Sequence, residues 1–354
     1  MSTEIKLTQY SHGAGCGCKI APNVLEEIIS TSIAMPDNDR LLVGNHTKDD
    51  AAVYDLGNGQ AMISTTDFFM PIVDDPYEFG RIASANAISD VYAMGGKPVL
   101  AIAILGWPIN TLSTQIARRV VEGAQSICLE AGIPLGGGHS IDAPEPIFGL
   151  AVNGLVDISH LKTNNAAQPG DLLFITKPLG VGILTTAEKK GLLKAEHMGL
   201  AARQMMELNK VGQAMGALKG VHAMTDVTGF GLLGHLAEMA EGSGVSARIS
   251  LSRVPKITDD LPWYLLQNSI PGGTGRNLKA YGHKISFDSA LNINEAQSLL
   301  ADPQTSGGLL IAVDPSQVEE FTEVLATYGL QRFANPIGAL SVDTKNDVYI
   351  QVTE

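Results

Sequence analysis

The sequence predicts a mixed α/β protein built from two domains. The chain has 354 residues, more than one hydrophobic core usually serves. Apolar runs of strand length alternate with helix-periodic segments in both halves. A polar stretch that ends in a Pro-Gly turn signal, residues 162–170, separates the halves. We therefore expect a flexible glycine- and cysteine-containing arm over residues 1–20, an N-terminal domain over 21–160 and a C-terminal domain over 170–354.

The N-terminal half predicts five strands and three helices. A helix is expected to begin near Pro22, because proline suits the first helical turn. The run 99–105 is apolar throughout, which predicts a buried strand. The other expected strands are 41–43, 51–56, 61–65 and 147–156, and the other expected helices are 78–94 and 113–131.

The C-terminal half continues the alternation. A strand is expected at 172–176 and another at 309–313. Helical periodicity predicts helices at 182–190, 201–218 and 232–241.

Composition excludes several classes of protein. The formal net charge of −13 leaves no surplus of Lys and Arg for a long nucleic acid. Three cysteines do not indicate a disulfide scaffold. The N-terminus lacks a signal-peptide core, and no apolar run approaches the ~20 residues of a membrane span. We expect a cytoplasmic protein without a nucleic-acid or membrane partner, which could bind ATP through metal ions.

Aspartates provide the strongest indication of a binding site. Asp49 and Asp50 precede an expected strand, Asp67 ends another and Asp226 follows a short apolar run. Asp90 lies in an apolar helix, where an unpaired carboxylate is costly. Each alone is explained by a helix cap, a turn or an ion pair. Together they fit a site that binds Mg²⁺ and triphosphate oxygens, although the chain has no phosphate loop or set of protein-kinase motifs.

Two glycine-rich segments have competing interpretations. Residues 136–140, Gly-Gly-Gly-His-Ser, could direct backbone amides at phosphate oxygens, or could form an exposed turn. Residues 229–234 match Gly-x-Gly-x-x-Gly, which in a Rossmann fold binds pyrophosphate. The ribose-binding acid expected ~20 residues later is missing. Packing at the start of a helix is the favoured interpretation of these glycines.

The segment from Gly13 to Lys19 is the most distinctive. Lys19 lies close to Cys16 and Cys18, and a neighbouring ammonium favours the reactive thiolate. The glycines would allow the arm to fold over a ligand. A metal-binding cysteine pair and an arm without function remain as alternatives, but closed zinc sites use four ligands and few others are at hand.

Seven motifs occur in an order that resembles the selenophosphate synthetase (selenide, water dikinase) family over nearly the whole chain. They are Gly13-Ala-Gly-Cys-Gly-Cys-Lys19, Asp49-Asp-Ala-Ala-Val53, Thr65-Thr-Asp-Phe-Phe69, Ala87-Ile-Ser-Asp90, Gly137-Gly-His-Ser-Ile141, Met224-Thr-Asp-Val-Thr-Gly-Phe-Gly231 and Asp302-Pro-Gln-Thr-Ser-Gly-Gly308. The resemblance implies a two-domain fold like that of PurM, the aminoimidazole ribonucleotide synthetase, and homodimers paired through the N-terminal domains. It implies synthesis of selenophosphate from ATP, selenide and water, with Mg²⁺ as cofactor and AMP and phosphate as the other products. A selenium-delivery protein is a candidate partner.

The resemblance also implies residue roles. Cys16 and Lys19 match catalytic positions, and Cys18 matches a more tolerant one. The implied Mg²⁺ ligands are Asp50, Asp90 and Asp226. The implied nucleotide-binding residues are Lys19, Thr47, Lys48, Asp49, Asp67, Asp90, Gly138, His139 and Ser140. The residues leave open whether Cys16 binds selenium covalently. Rival interpretations are a kinase related to thiamine-phosphate kinase, whose chemistry needs no thiol, and a selenium or metal carrier, which would not need the aspartates and Lys19.

Overall fold

The computed structural model describes residues 5–20, 22–30, 38–44, 49–342 and 347–354. Strands and helices interleave around two separate sheets, so the expected mixed α/β class is confirmed. No helix in these ranges is long and apolar enough to cross a membrane.

The first sheet is formed by the N-terminal half. Its strands are β1 (Leu41–Val43), β2 (Ala52–Asp55), β3 (Gln60–Phe69), β4 (Lys97–Trp107), β5 (Leu135–Asp142) and β6 (Ile147–Asp157). Their spatial order is β1-β2-β3-β6-β4-β5, and all neighbours are antiparallel except β4 and β5. The helices of this half are α1 (Pro22–Ile29), α2 (Pro76–Ala93) and α3 (Thr114–Ala131).

The second sheet is formed by the C-terminal half. Its strands are β7 (Leu172–Ile175), β8 (Val221–Asp226), β9 (Val245–Ser250), β10 (Ile285–Phe287), β11 (Leu309–Val313), β12 (Gly338–Val342) and β13 (Ile350–Thr353). Their order is β10-β13-β9-β12-β7-β11-β8, so β8 lies at an edge. The helices are α4 (Val181–Lys189), α5 (Leu200–Met205), α6 (Val211–Ala217), α7 (Gly231–Ser243), α8 (Leu261–Leu266), α9 (Gly272–Tyr281), α10 (Ile293–Leu300) and α11 (Val318–Thr327).

Helix α2 packs against elements of both halves of the chain. The Asp75 side chain accepts a hydrogen bond from the Glu78 amide, and Pro76 occupies the first turn, so the helix start is capped. The helix contacts α3, β3 and β6 of its own half, and also β8, α5 and α6 of the other half. These contacts on several sides explain why every residue from Ile82 to Ala93 is buried.

The outer face of the first sheet is apolar and exposed. The run 99–105 was expected to be buried, but Leu100 and Ile102 in β4 are 38% and 42% exposed. Met62 and Phe68 in β3 add to the same kind of surface. Among the described residues, the main helix contacts of this sheet are with α2 and α3. An apolar run does not reveal whether a second layer covers the other face.

One other expectation was wrong, and one interpretation that the sequence left open is excluded. The helix expected over 201–218 is divided into α5 and α6. At the break, the Glu207 carbonyl accepts a hydrogen bond from Lys177, and the Asn209 amide donates to Ser89 and to the Gly307 carbonyl. The Lys177 ammonium thus satisfies a backbone carbonyl that a continuous helix would use, whereas the Asn209 bonds come from its side-chain amide. The segment 136–140 is not a turn but part of the edge strand β5.

Candidate active site

Strand and helix periodicity bring four polar side chains together at the centre of the molecule. Thr65 and Asp67 are two residues apart in β3 and therefore point to the same face. Asn86 and Asp90 are one turn apart in α2, which packs on that face. The Thr65 hydroxyl donates to Asp90 Oδ2 at 2.5 Å. The Asn86 amide donates to Asp67 Oδ2 at 2.6 Å.

Two further aspartates complete a carboxylate cluster with Asp90. Asp50 lies just before β2, and Asp226 is the last residue of β8. One carboxylate oxygen from each of Asp50, Asp90 and Asp226 lies within 4.8 Å of the other two. The Thr225 hydroxyl, from the second half of the chain, donates to Asp50 Oδ1 at 2.9 Å. The cluster is therefore assembled from both halves.

Burial and mutual repulsion raise the pKa of all three carboxyl groups. Burial is the largest cause for Asp50 and Asp90, followed by the charges of Asp226 and Asp67 respectively. Burial raises the pKa of Asp226 to about 6, against the opposing hydrogen bond from Ser89 and the charge of Lys19. Within the described ranges, the buried Oδ2 atoms of Asp50 and Asp226 have no hydrogen-bond partner. A divalent cation would satisfy these oxygens.

Lys19 brings positive charge to this acidic centre. Attraction by the Asp67 carboxylate, together with Asp90 and Asp226, raises the pKa of the Lys19 ammonium above its usual range, although burial opposes it. Lys19 nonetheless retains solvent exposure, and its Nζ lies 5.9 Å from the centre of the Phe230 ring. The ammonium therefore stays charged in a place where an anionic substrate would meet it.

Cys16 is placed beside the same polar group. The residue belongs to a short 3-10 turn, Gly15–Cys18, and is 2% exposed. Its thiol donates to Asn86 Oδ1, with a sulfur–oxygen distance of 3.2 Å. Burial raises the pKa of Cys16 more than Lys19 lowers it. In this conformation burial favours the protonated thiol, which donates the hydrogen bond to Asn86, although Lys19 favours the thiolate as the sequence indicates.

The second cysteine of the arm does not join the first in a metal pair. The Cys18 thiol donates to the carbonyl of Gly15 at 2.8 Å, within its own turn. Across the described ranges, the two groups of side chains with metal-compatible geometry contain no cysteine. These contacts disfavour the zinc alternative.

Comparisons with known proteins show which family the chain resembles. Residues 48–156 match the family described as AIR synthase related protein, N-terminal domain, and residues 168–351 match its C-terminal domain. The chain is 58% identical over 354 residues to the selenide, water dikinase of Photorhabdus laumondii subsp. laumondii, with 100% of both chains covered. It is 59% identical over 346 residues to that of Colwellia psychrerythraea, with 98% of both covered.

The chain belongs to the selenide, water dikinase family. Solved structures confirm the two-domain PurM-like fold. Thiamine monophosphate kinase from Aquifex aeolicus matches with a TM-score of 0.62 at 16% identity, covering 93% of this chain and 94% of that chain. The hydrogenase maturation protein HypE in complex with ATP matches with a TM-score of 0.61 at 20% identity, covering 86% of this chain and 82% of that chain.

Of the other residues implied by the family resemblance, Asp49 and the segment 138–140 lie outside the carboxylate cluster. Asp49 Oδ1 accepts from the backbone amide of Asn164 at 2.7 Å, which ties the start of the first sheet to the link between the halves. Gly138, His139 and Ser140 are exposed on the edge strand β5, and no hydrogen bond found among the described residues joins them to the cluster. Thr47 and Lys48 lie outside the described residues.

The glycines at 229–234 serve packing, as favoured from the sequence. Helix α7 begins at Gly231, which has φ +70°. A Cβ at Gly229 would lie 2.5 Å from the carbonyl oxygen of Cys16. Gly229 therefore allows the Cys16 turn of this selenide, water dikinase relative to approach the second half of the chain.

Sequence reasoning missed several residues that hold the site. Thr305 accepts a hydrogen bond from the Cys16 amide, and Arg276 donates to the Gly17 carbonyl. Asn86 contacts both Asp67 and Cys16, which its helical spacing from Asp90 does not by itself indicate. Thr305 lies in the motif Asp302–Gly308, which marks it as a residue of interest, but the sequence assigns no role to that motif. Arg276 gave no signal.

Proposed function

We propose that the chain synthesises selenophosphate from selenide, ATP and water, with release of AMP and orthophosphate, for selenocysteine and selenouridine biosynthesis. One observation supports the proposal beyond family membership: the Cys16 thiol of the Gly15–Cys18 turn and the ammonium of Lys19, the residue that follows this turn, face a cluster of carboxylates. The carboxylates suit a metal–triphosphate. Cys16 would place the selenium nucleophile, and the Lys19 ammonium would stabilise charge on the phosphoryl group that accepts it.

Mg²⁺ is the metal that the cluster fits. The donors are carboxylate oxygens, which hard cations prefer, and two of these buried oxygens lack hydrogen-bond partners in the described part of the chain. We propose Asp50, Asp90 and Asp226 as the ligands. Bound Mg²⁺ would neutralise triphosphate charge and so permit ATP to enter an acidic site.

The nucleotide would contact residues around this cluster. The residues we propose for these contacts are Lys19, Thr47, Lys48, Asp49, Asp67, Asp90, Gly138, His139 and Ser140. The pKa of Lys19 is raised by Asp67, so the amine carries the positive charge needed at phosphoryl oxygens.

We propose that the chemistry proceeds in two steps. A selenium electron pair attacks the γ-phosphorus, the P–Se bond forms, and the bond from that phosphorus to the bridging oxygen of ADP breaks. Water then cleaves ADP to AMP and orthophosphate. Lys19 stabilises charge on the equatorial oxygens, while the buried Cys16 turn places selenium and excludes bulk water.

The assembly proposed is a homodimer paired through the first sheet. The exposed apolar face that includes Met62, Phe68, Leu100 and Ile102 is the kind of surface that a subunit interface covers. We also propose a cytoplasmic location, since Cys16, Cys18 and Cys128 are free thiols, as expected in a reducing compartment. Selenium would come as free selenide or from a delivery protein.

The rival function is simple phosphoryl transfer of the kind performed by the structural neighbour thiamine monophosphate kinase. The two functions differ in products. Incubation with ATP, Mg²⁺ and selenide under anaerobic reducing conditions should give AMP only when selenide is present, as measured by nucleotide chromatography. ADP as the sole nucleotide product would overturn the proposed function.

A further inference from the structure

The turn that carries Cys16 is held by the C-terminal half of the chain through its backbone. The Cys16 amide donates to Thr305 Oγ1 at 3.1 Å, and the Arg276 guanidinium donates to the Gly17 carbonyl. Thr305 lies 289 positions away in sequence and is 1% exposed. The turn therefore belongs to the first half by sequence and is bonded to the second half through its main chain.

The Cys16 turn packs closely against the C-terminal half of the chain. Gly15 has φ +50°, and a Cβ there would lie 2.5 Å from Thr305 Oγ1. On the other side of the turn, the carbonyl of Cys16 approaches Gly229 as described above. The cavity left between the turn, Phe230 and α9 has a volume of about 10 Å³, which holds at most about one water molecule. A small displacement of this turn would therefore break several contacts at once.

Ser306, the residue that follows Thr305, is itself held by hydrogen bonds. Ser306 has φ +48°, an uncommon conformation for a residue other than glycine. The buried Lys177 ammonium donates to the Ser306 carbonyl at 2.7 Å. The Ser306 amide donates at 2.7 Å to Asn86 Oδ1, the oxygen that also accepts the Cys16 thiol. The backbone of Cys16 is therefore bonded to Thr305, and its side chain shares the acceptor Asn86 Oδ1 with the neighbouring residue Ser306.

We infer that Thr305 is a positioning residue that, with Arg276, holds the Cys16 turn on the C-terminal half of the chain. We call the two hydrogen bonds, from the Cys16 amide to Thr305 and from Arg276 to the Gly17 carbonyl, the lock. The thiol reaches its place beside Asn86 only when this lock is closed. The catalytic consequence rests on the proposed function, whereas the lock itself is a property of the fold. Thr305 acts through Cys16, because it accepts a hydrogen bond from the Cys16 amide and its side-chain hydrogen bond lowers the pKa of the Cys16 thiol. It contacts no substrate.

The test removes the acceptor oxygen and keeps the shape of the side chain. Thr305→Val leaves the buried Cys16 amide without its acceptor, whereas Thr305→Ser retains a hydroxyl. Thr274→Val is the matched control, because Thr274 in α9 is also buried and its hydroxyl has no partner among the described residues. The lock is measured by the rate at which iodoacetamide alkylates each cysteine, followed by peptide mass spectrometry.

Thr305→Val should speed alkylation of Cys16 about tenfold, the change expected when a buried donor loses its partner. Alkylation of Cys128, which is 1% exposed in α3, should not change. Thr305→Ser and Thr274→Val should behave like the wild type. An unchanged Cys16 rate in Thr305→Val, or equal acceleration of Cys16 and Cys128, would overturn the lock.

Activity provides a second readout. Thr305→Val should lower kcat for selenide-dependent AMP formation about tenfold, with Thr305→Ser restoring it. If Thr305→Val does not fold, Arg276→Ala replaces it, because the Arg276 side chain is exposed and reaches the same turn. Alkylation needs no catalysis. A wild-type chain that makes no selenophosphate would therefore refute the proposed function while the alkylation result still decides the lock.

Discussion

The carboxylate cluster and the Cys16 turn are held by different kinds of contact. Asp90 and Asp226 lie on α2 and at the end of β8, and their side chains receive side-chain hydrogen bonds from neighbouring elements. The Cys16 turn lies outside both sheets and is held largely through its main chain. A rigid site suits a metal and a nucleotide, whereas a turn that docks as a unit can open for selenium and close before reaction. The two regions should therefore fail in different ways when they are altered.

The largest expected effect comes from removing the thiol. Cys16→Ser should reduce selenide-dependent AMP formation by about 10³-fold or more, while Mg²⁺-dependent nucleotide binding stays near the wild-type value. Rates are measured by nucleotide chromatography and binding by calorimetry. Cys128→Ser is the control, because Cys128 is also buried but lies in α3. Full activity of Cys16→Ser would remove this residue from the mechanism.

The next effect concerns the cluster. Asp226→Asn should weaken Mg²⁺-dependent ATP binding about 10- to 100-fold, because one charged ligand is lost. The rate of Cys16 alkylation should change little. Asp259→Asn, at an exposed position, serves as the control for the loss of one negative charge. An unchanged metal requirement in calorimetric titrations would contradict the assignment of Asp226 as a ligand.

These two regions also differ in how far the sequence predicts them. Period-two alternation in β3 and helical spacing in α2 already place Thr65 with Asp67 and Asn86 with Asp90 on shared faces. The contacts of Thr305 and Arg276 with the turn could not be predicted, because no local pattern records which distant segment will lie under a glycine-rich arm. The exposure of Leu100 and Ile102 could not be predicted either, because an apolar run has the same pattern whether or not a helix layer of the same chain covers it.

A smaller and graded effect should follow pH. The pKa of Asp226 is raised to about 6, and those of Asp50 and Asp90 are also raised. As pH falls through this range the carboxyl groups take up protons, which Mg²⁺ must displace. Affinity for Mg²⁺ should fall about tenfold per pH unit for each proton displaced. Calorimetric titration between pH 8 and about pH 5 measures this, and an affinity independent of pH would contradict the raised values.

The smallest expected effect is on stability without metal. The folded state binds a proton at Asp226 more tightly than the unfolded state does, so this group favours folding at low pH and loses that contribution as pH rises through about 6. Metal-free Asp226→Asn should therefore melt above the wild type at pH 8, by roughly 3 °C. The difference should shrink at pH 5. Scanning calorimetry of both chains in chelator checks the sign, and a lower midpoint for Asp226→Asn at pH 8 would contradict it.

We propose that the Cys16 turn delivers selenium to a phosphoryl group held at the carboxylate cluster. Phosphorus NMR of the wild-type reaction tests it most directly, with selenide enriched in the spin-active isotope of selenium. We predict a new phosphorus resonance that is split by directly bonded selenium and grows in step with AMP. Consumption of ATP without that split resonance, in the presence of Mg²⁺ and selenide, would contradict the account.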